Sequence, residues 1–207
     1  MRYARIPDQA VQRLAMYLRA VLVLQDRGIW HVSSKDLAGQ VGVNDWQVRK
    51  DFSYFGELGT PGVGYDLRKL QRDIRRILRL DKKRSAILVG VGNLGKAILA
   101  YGGFARYGLR IMAAFDNDPQ KVGKVVNGIR IQDVSMLKRI ASGKVSLAIL
   151  AIPAASAQEV VDCLVDAGIK GILSFAPCPL KVPKKVRVVG IDIAMHLATM
   201  PYYLSSD

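Results

Sequence analysis

Gly90-Val91-Gly92-Asn93-Leu94-Gly95 is the part of the chain best suited to holding a phosphate. At that spacing Gly90 permits a tight turn, Gly92 lets backbone approach a pyrophosphate, and Gly95 lets a helix pack on a strand. The spacing alone is weak evidence, but its surroundings strengthen it. Ser85-Ala86-Ile87-Leu88-Val89 reads as a buried strand ahead of it, and residues 96–101 read as a helix behind it. That helix would turn free N–H groups and a partial positive charge toward the phosphates. Asp116 closes a second apolar strand, 111–115, and lies 21 residues after Gly95. An acid there accepts ribose hydroxyls and repels a 2′-phosphate, so NAD(H) is favoured over NADP(H), with Lys121 slightly weakening the preference. The plainer alternative makes Asp116-Asn117-Asp118-Pro119 only a strand-ending turn. With the glycine motif in register, the cofactor reading is the stronger.

A second group of residues suits nucleic acid. Gln47, Arg49, Lys50, Ser53 and Tyr54 fall in a stretch, 45–55, that reads as a polar, basic helix. Gln and Arg carry the donors and acceptors that read base edges in a major groove. A shorter helix should begin at Ser33-Ser34, whose hydroxyls can cap it, and end near Gly42, with Val43-Asn44 as the turn. Two short helices so joined form the helix-turn-helix pattern. Residues 56–65 then hold four glycines and read as the wing of a winged helix, an element that can lie along a minor groove. A plain surface turn explains that stretch alone equally well. It is no nucleotide P-loop, because no Gly-Lys-Ser/Thr follows.

The elements that position these groups follow from periodicity. Val11, Leu14, Ala15, Leu18, Val21 and Leu22 predict an amphipathic helix over 7–27, ended by Gly28. Asp66 can cap a fourth helix with Leu67, Leu70, Ile74, Ile77 and Leu78 buried; Arg68, Arg72, Arg75, Arg76 and Arg79 fall on another side, most of them reading as a solvated face, with phosphate contact the sharper alternative. The polar run 81–84 marks a boundary. Beyond the glycine motif, helices are expected at 134–140 and 156–167, and strands at 146–152, 170–174 and 186–190. Strands alternating with helices imply a parallel sheet. Ile152-Pro153 and Ala176-Pro177 end two strands and should border the ligand. Residues 192–200 form an apolar helix needing burial, against a partner subunit or its own domain.

Composition sets the outer limits. The 207 residues are 50% hydrophobic and carry a net charge of +14, the electrostatic footprint of a nucleic-acid binder, although an anionic membrane surface would also suit it. The first 84 residues hold 17 of the basic and 9 of the acidic groups, so the charge is denser at the front. No apolar run reaches the ~18 residues of a membrane span. Met1-Arg2-Tyr3-Ala4-Arg5 lacks the apolar core of a secretory signal. Cys163 and Cys178 give no disulfide framework, no metal-ligand cluster is present, and a reducing cytoplasm fits best. His31 and His196, each apart from any other catalytic type, read as structural rather than as acid-base groups. A nicotinamide cofactor is then a signal more than a reagent.

Taken together these motifs resemble one family closely. Ile6-Pro7, Arg13-Leu14, Tyr17-Leu18-Arg19, Gln47-Val48-Arg49-Lys50-Asp51, Ser53-Tyr54-Phe55-Gly56 and Gly62-Val63-Gly64-Tyr65 are similar to the winged-helix signature of the bacterial redox-sensing repressor family Rex. Gly90-Val91-Gly92-Asn93-Leu94-Gly95, Phe115-Asp116, Gly171-Ile172-Leu173 and Phe175-Ala176-Pro177 resemble its Rossmann half. The resemblance runs from about Ile6 to Leu204.

It implies an α/β protein with an N-terminal winged helix-turn-helix domain (1–82), a Rossmann-type NAD(H)-binding domain (83–190) and a C-terminal helix (191–207) swapped between subunits. By the same resemblance it is a cytoplasmic homodimer and no enzyme, represses transcription from palindromic operators on double-stranded DNA, and responds to NADH/NAD+. Ser33, Ser34, Gln47, Arg49, Lys50, Ser53, Tyr54 and residues 62–65 would meet DNA. Val89, Gly90, Val91, Gly92, Asn93, Leu94, Gly95, Tyr101, Asp116, Ile152, Pro153 and Asp192 would meet the dinucleotide. Arg19, Tyr101 and Asp192 would form the switch that changes with cofactor state. Ile193 stands where some relatives have an aromatic residue by the nicotinamide, and Pro61 where a basic residue can occur in the wing. Two other readings remain: a small NAD-dependent oxidoreductase, and a CoA- or nucleotide-binding domain joined to a DNA-binding one.

Overall fold

The computed structural model describes residues 6–141 and 145–204; the N-terminal pentapeptide read above for targeting lies outside the described residues. The chain divides into two compact units between Lys82 and Lys83.

In the first unit, α1 (Asp8–Asp26) is followed by β1 (His31–Val32), α2 (Ser34–Val41), α3 (Asp45–Ser53), β2 (Tyr65–Asp66) and α4 (Leu67–Ile77). Leu14, Tyr17, Leu18 and Val21 of α1 share the unit's core with Leu37, Val48, Phe52, Leu70 and Ile74. Phe52 sits edge-on to Tyr17 and Tyr65, with ring centroids 5.1 and 5.2 Å away. Local chemistry places the helix ends. Ser33 and Asp36 form a reciprocal capping box at the start of α2, and Gly42 ends it at φ 74°. Asp66 accepts the Lys69 N–H at 2.8 Å to start α4. The expected helix 45–55 stops at Ser53, because the Tyr54 and Phe55 N–H groups reach back only three residues and Gly56 takes φ 105°. Periodicity gave no sign of β1 and β2. They pair His31 with Asp66 and Val32 with Tyr65, fastening the exit of the glycine-rich hairpin to the loop after α1.

The second unit is a seven-stranded sheet in the order β5-β6-β4-β3-β7-β8-β9. Its elements are β3 (Arg84–Val89), α5 (Asn93–Ala100), β4 (Leu109–Asp116), β5 (Val125–Val126), β6 (Ile129–Asp133), α6 (Leu137–Ala141), β7 (Leu147–Leu150), α7 (Ala154–Asp166), β8 (Gly171–Ser174), β9 (Arg187–Gly190) and α8 (Ile193–Ala198). Only β5 runs antiparallel to its neighbour. Strand alternation splits the core: Ile87 and Val89 face the layer holding Leu137, Val161 and Leu164, while Leu88 joins Ala114, Ile131 and Ile149 on the other side. The β5–β6 hairpin was not anticipated. Its turn is Asn127-Gly128, both residues at positive φ (48° and 76°), a turn signal legible in the sequence.

Candidate functional site

A cleft of about 540 Å3 opens where the carboxyl ends of β3, β4 and β7 meet, lined among others by Val89, Gly90, Gly92, Asp116, Ile152 and Pro153. Successive strands leave β3 first to one side and then to the other, so the cleft lies at the sheet's topological switch point. The three glycines have different reasons. Gly90 takes φ 93°, and a Cβ there would collide with the Ala151 carbonyl; a Cβ on Gly95 would collide with the Gly90 carbonyl. Protein packing thus demands both. A Cβ on Gly92 would meet nothing within 4 Å. Its φ of −76° suits any residue, so nothing in the chain itself requires glycine there. Gly92 also precedes the first turn of α5 without side-chain capping, which leaves that turn's N–H groups for a ligand.

Asp116 lines the cleft, yet its oxygens already have partners. Oδ2 accepts the Val91 N–H at 2.7 Å and Oδ1 the Asp118 N–H at 2.9 Å, while the Lys121 ammonium lies 3.2 Å from Oδ2. Burial opposes ionisation, but those bonds outweigh it and hold the carboxyl below its usual range. Asp116 therefore braces the glycine turn, and a ribose contact would come on top of that. The Val91 side chain is fully buried and its N–H donates to Asp116. Gly95 is likewise buried, packing helix against turn. Asn93, Leu94, Tyr101 and Asp192 lie outside the cleft lining. Asp192 caps α8 through the Met195 N–H at 2.9 Å, and Tyr101 stands edge-on to Phe104. Asn117, Ser156, Glu159 and Cys163 do line the cleft. Sequence reasoning missed them because it stopped at the strand ends, while the face of α7 that meets the cleft has no motif of its own.

In the first unit, a hollow of about 650 Å3 gathers Ser33, Ser34, Arg49, Ser53 and the hairpin residues 62–65. The hairpin closes through reciprocal bonds between Thr60 and Gly64 at 3.0 Å, leaving Val63 exposed at the tip. Tyr65 borders the same hollow. It is 8% exposed and packs on Phe52, because its place in β2 turns the ring inward. Gly64 (φ 97°) lies so close to the Val32 carbonyl that it admits no Cβ. Gln47, Lys50 and Tyr54 are outside the hollow. The Gln47 amide donates to Asp51 at 2.7 Å, and Arg49 bridges Asp45 and Ser34. Asp51, with no exposure, also receives both arms of Arg13 (2.6 and 2.8 Å) and the Tyr17 hydroxyl (2.9 Å), so α1 holds α3 through one buried carboxylate.

Among the described residues, no three His, Cys, Asp or Glu side chains converge as for a metal ion, and no helix is long and apolar enough to cross a membrane. His31 lies 3.5 Å from Asp66 on the surface. The sheet face over Ile111, Ile149, Leu173 and Val189 carries an apolar hollow of about 290 Å3. Ile193 and Leu197 of α8 are two-thirds exposed, and Tyr202, Tyr203 and Leu204 beyond it more so.

Two family profiles match the chain: a CoA binding domain over residues 81–178, and a putative DNA-binding protein N-terminus over residues 5–53. The redox-sensing transcriptional repressor Rex of Chloroflexus aggregans is 46% identical over 202 residues, spanning 97% of this chain and 95% of that protein. Its namesake from Desulfitobacterium hafniense is 43% identical, spanning 98% and 97%. Among solved structures, that of RSP in complex with beta-NAD+ and operator DNA superimposes with a TM-score of 0.89 at 34% identity, covering 97% of this chain and 93% of that one. RSP in complex with beta-NADH gives 0.85 at 33% identity over 97% and 94%. With so much identity along nearly the whole length, the chain belongs to the Rex family of redox-sensing transcriptional repressors.

Proposed function

We propose that this chain represses transcription by binding palindromic operator DNA as a homodimer, and that NADH binding in its Rossmann unit releases the DNA. One observation carries the proposal: Gly92 lacks a side chain for no reason internal to the protein, in a chain whose other unit is a winged helix-turn-helix. The relatives named above, solved with beta-NAD+, beta-NADH and operator DNA, support the same pairing of ligands. Gly90, Gly92 and the free N–H groups of α5 would hold the pyrophosphate; Asp116 and Lys121 would meet the adenosine ribose, and Ile152 and Pro153 would flank the cofactor. The dinucleotide supplies a change of ring charge and planarity between its two redox forms, used as a signal. We assign no catalytic residue and a cytoplasmic location.

Ser33, Ser34, Gln47, Arg49, Lys50, Ser53 and the hairpin 62–64 are the DNA contacts of this reading. Gln47 and Arg49 would exchange internal partners for base edges. The domains are 1–82, 83–190 and 191–207, and the last crosses to the partner, where the partner's α8 fills the apolar sheet face. Arg19, Tyr101 and Asp192 couple cofactor state to DNA affinity. A tenfold change in DNA affinity needs only ~1.4 kcal/mol of differential binding between two dimer states.

The deciding experiment is binding to DNA from the protein's own upstream region at fixed salt, titrated with NADH, NAD+ and CoA in turn. Loss of the complex with NADH, at concentrations where NAD+ and CoA leave it intact, is expected. Indifference to NADH overturns the sensing reading. A response to CoA alone favours the ligand that the match to a CoA binding domain suggests.

A further inference from the structure

Trp46 presents a large, partly exposed indole. It is the second residue of α3 and is half exposed, at 50%. Its backbone N–H bonds the Asp45 carboxylate, and the Lys50 ammonium sits 5.7 Å from its ring centroid, one helical turn along the same face. The other polar groups of α3 are drawn inward or sideways: Gln47 to Asp51, Arg49 to Asp45 and Ser34, and the Ser53 hydroxyl to the Lys50 carbonyl. The outward face of the helix therefore combines a large apolar plate with a cation beside it. Tryptophan supplies contact area at low entropy cost, which suits an interface better than open water.

A major groove offers one apolar group on its base edges, the C5 methyl of thymine. Elsewhere it presents donors and acceptors, to which an indole offers one N–H donor at its edge and no acceptor, so its broad ring surface is suited to the methyl. We propose that Trp46 reads a thymine methyl, so that sequence choice at that base pair rests on apolar contact, with Lys50 taking an adjacent acceptor. This rests on the DNA-binding reading above and adds to it a base preference at one position.

Deoxyuridine tests it, since it keeps every hydrogen-bonding group of thymidine and lacks only the methyl. The full-length protein selects a fragment from a random DNA pool, and that fragment is made once with thymidine and once with deoxyuridine throughout. The unaltered protein should bind the deoxyuridine fragment about fourfold more weakly for each methyl contacted. Trp46→Ala should bind the thymidine fragment more weakly by a similar factor and no longer distinguish the two. Trp46→Phe should regain part of the distinction, which a purely structural role would not predict. In a Trp30→Phe background Trp46 is the sole tryptophan, and its emission should shift with the thymidine fragment and less with deoxyuridine. Equal binding of both fragments by the unaltered protein overturns the proposal, as does full discrimination by Trp46→Ala, and DNA binding itself then stands. Selection of no DNA at all overturns both.

Discussion

At the scale of single residues, the first unit turns on the buried Asp51 carboxylate, which accepts from Arg13, Tyr17 and Gln47. Burial works against its charge, but bonds from Arg13, Tyr17 and Gln47 outweigh that and hold its pKa below the usual carboxylate value. Arg13→Ala would leave a buried anion without its cation. Such a loss costs ~3–5 kcal/mol when both partners are fully buried, and Arg13 is 22% exposed, so about 2–3 kcal/mol is expected from urea unfolding of the full chain. Because the folded pKa is depressed, this stabilisation is present above the unfolded value near ~4 and is lost as pH falls through the folded one. The melting temperature should therefore drop below about pH 4, and the drop should be shallower in Arg13→Ala. The glycines of the turn make a sharper comparison. Gly92→Ala should leave stability within ~0.5 kcal/mol and weaken NADH binding by calorimetry. Gly95→Ala, whose Cβ meets the Gly90 carbonyl, should destabilise by ~1–3 kcal/mol. If Gly92→Ala binds NADH normally, the cleft is misassigned.

At the scale of elements, what could be read in the sequence was what local chemistry determines. Ser33, Gly42 and Asp66 mark helix ends by hydrogen bonds and backbone conformations that depend on neighbouring residues only, and the helices begin and end there. Asp36→Ala removes half of the box at α2 and should cost about 0.5–1 kcal/mol in urea unfolding; it also releases the N–H and hydroxyl of Ser33, one of the residues assigned to DNA. Elements defined by distant partners were illegible. The strands β1 and β2 have two residues each, too few for any period, and exist because Val32 meets Tyr65 across the unit. The same holds for the cleft. Its glycine turn is a local motif, but Ser156, Glu159 and Cys163 reach it only because β7 lies beside β3 in the sheet. Tyr65 shows the limit from the other side: the hairpin is legible from its glycines, but the burial of this ring depends on strand alternation and on Phe52.

At the scale of the whole molecule, the C-terminal segment is where the single chain looks incomplete. Ile193, Met195, Leu197, Met200, Tyr202, Tyr203 and Leu204 are each more than half exposed, a contiguous apolar run of a kind that marks an interface. Among the described residues, the two buried clusters of the second unit draw on no side chain beyond Val188, so a chain ending at Gly190 should still fold. Sedimentation should give a dimer for the full chain and a monomer for the shortened one, and a dimer from the shortened chain would remove this helix from the interface. The consequence for DNA follows from geometry rather than charge. A dimer engages both halves of a palindrome at once, and the second contact forms at high effective concentration, so its loss should weaken operator binding by on the order of a hundredfold or more. Residues 191–207 hold no Lys or Arg, so all the positive charge stays with the shortened chain, and binding to random DNA should change far less. Both should fall with salt at about 0.9 log units per log unit of salt for each phosphate neutralised, and the dimer's slope should be close to twice the monomer's. Equal slopes for the two chains would mean that only one recognition helix was ever on the DNA.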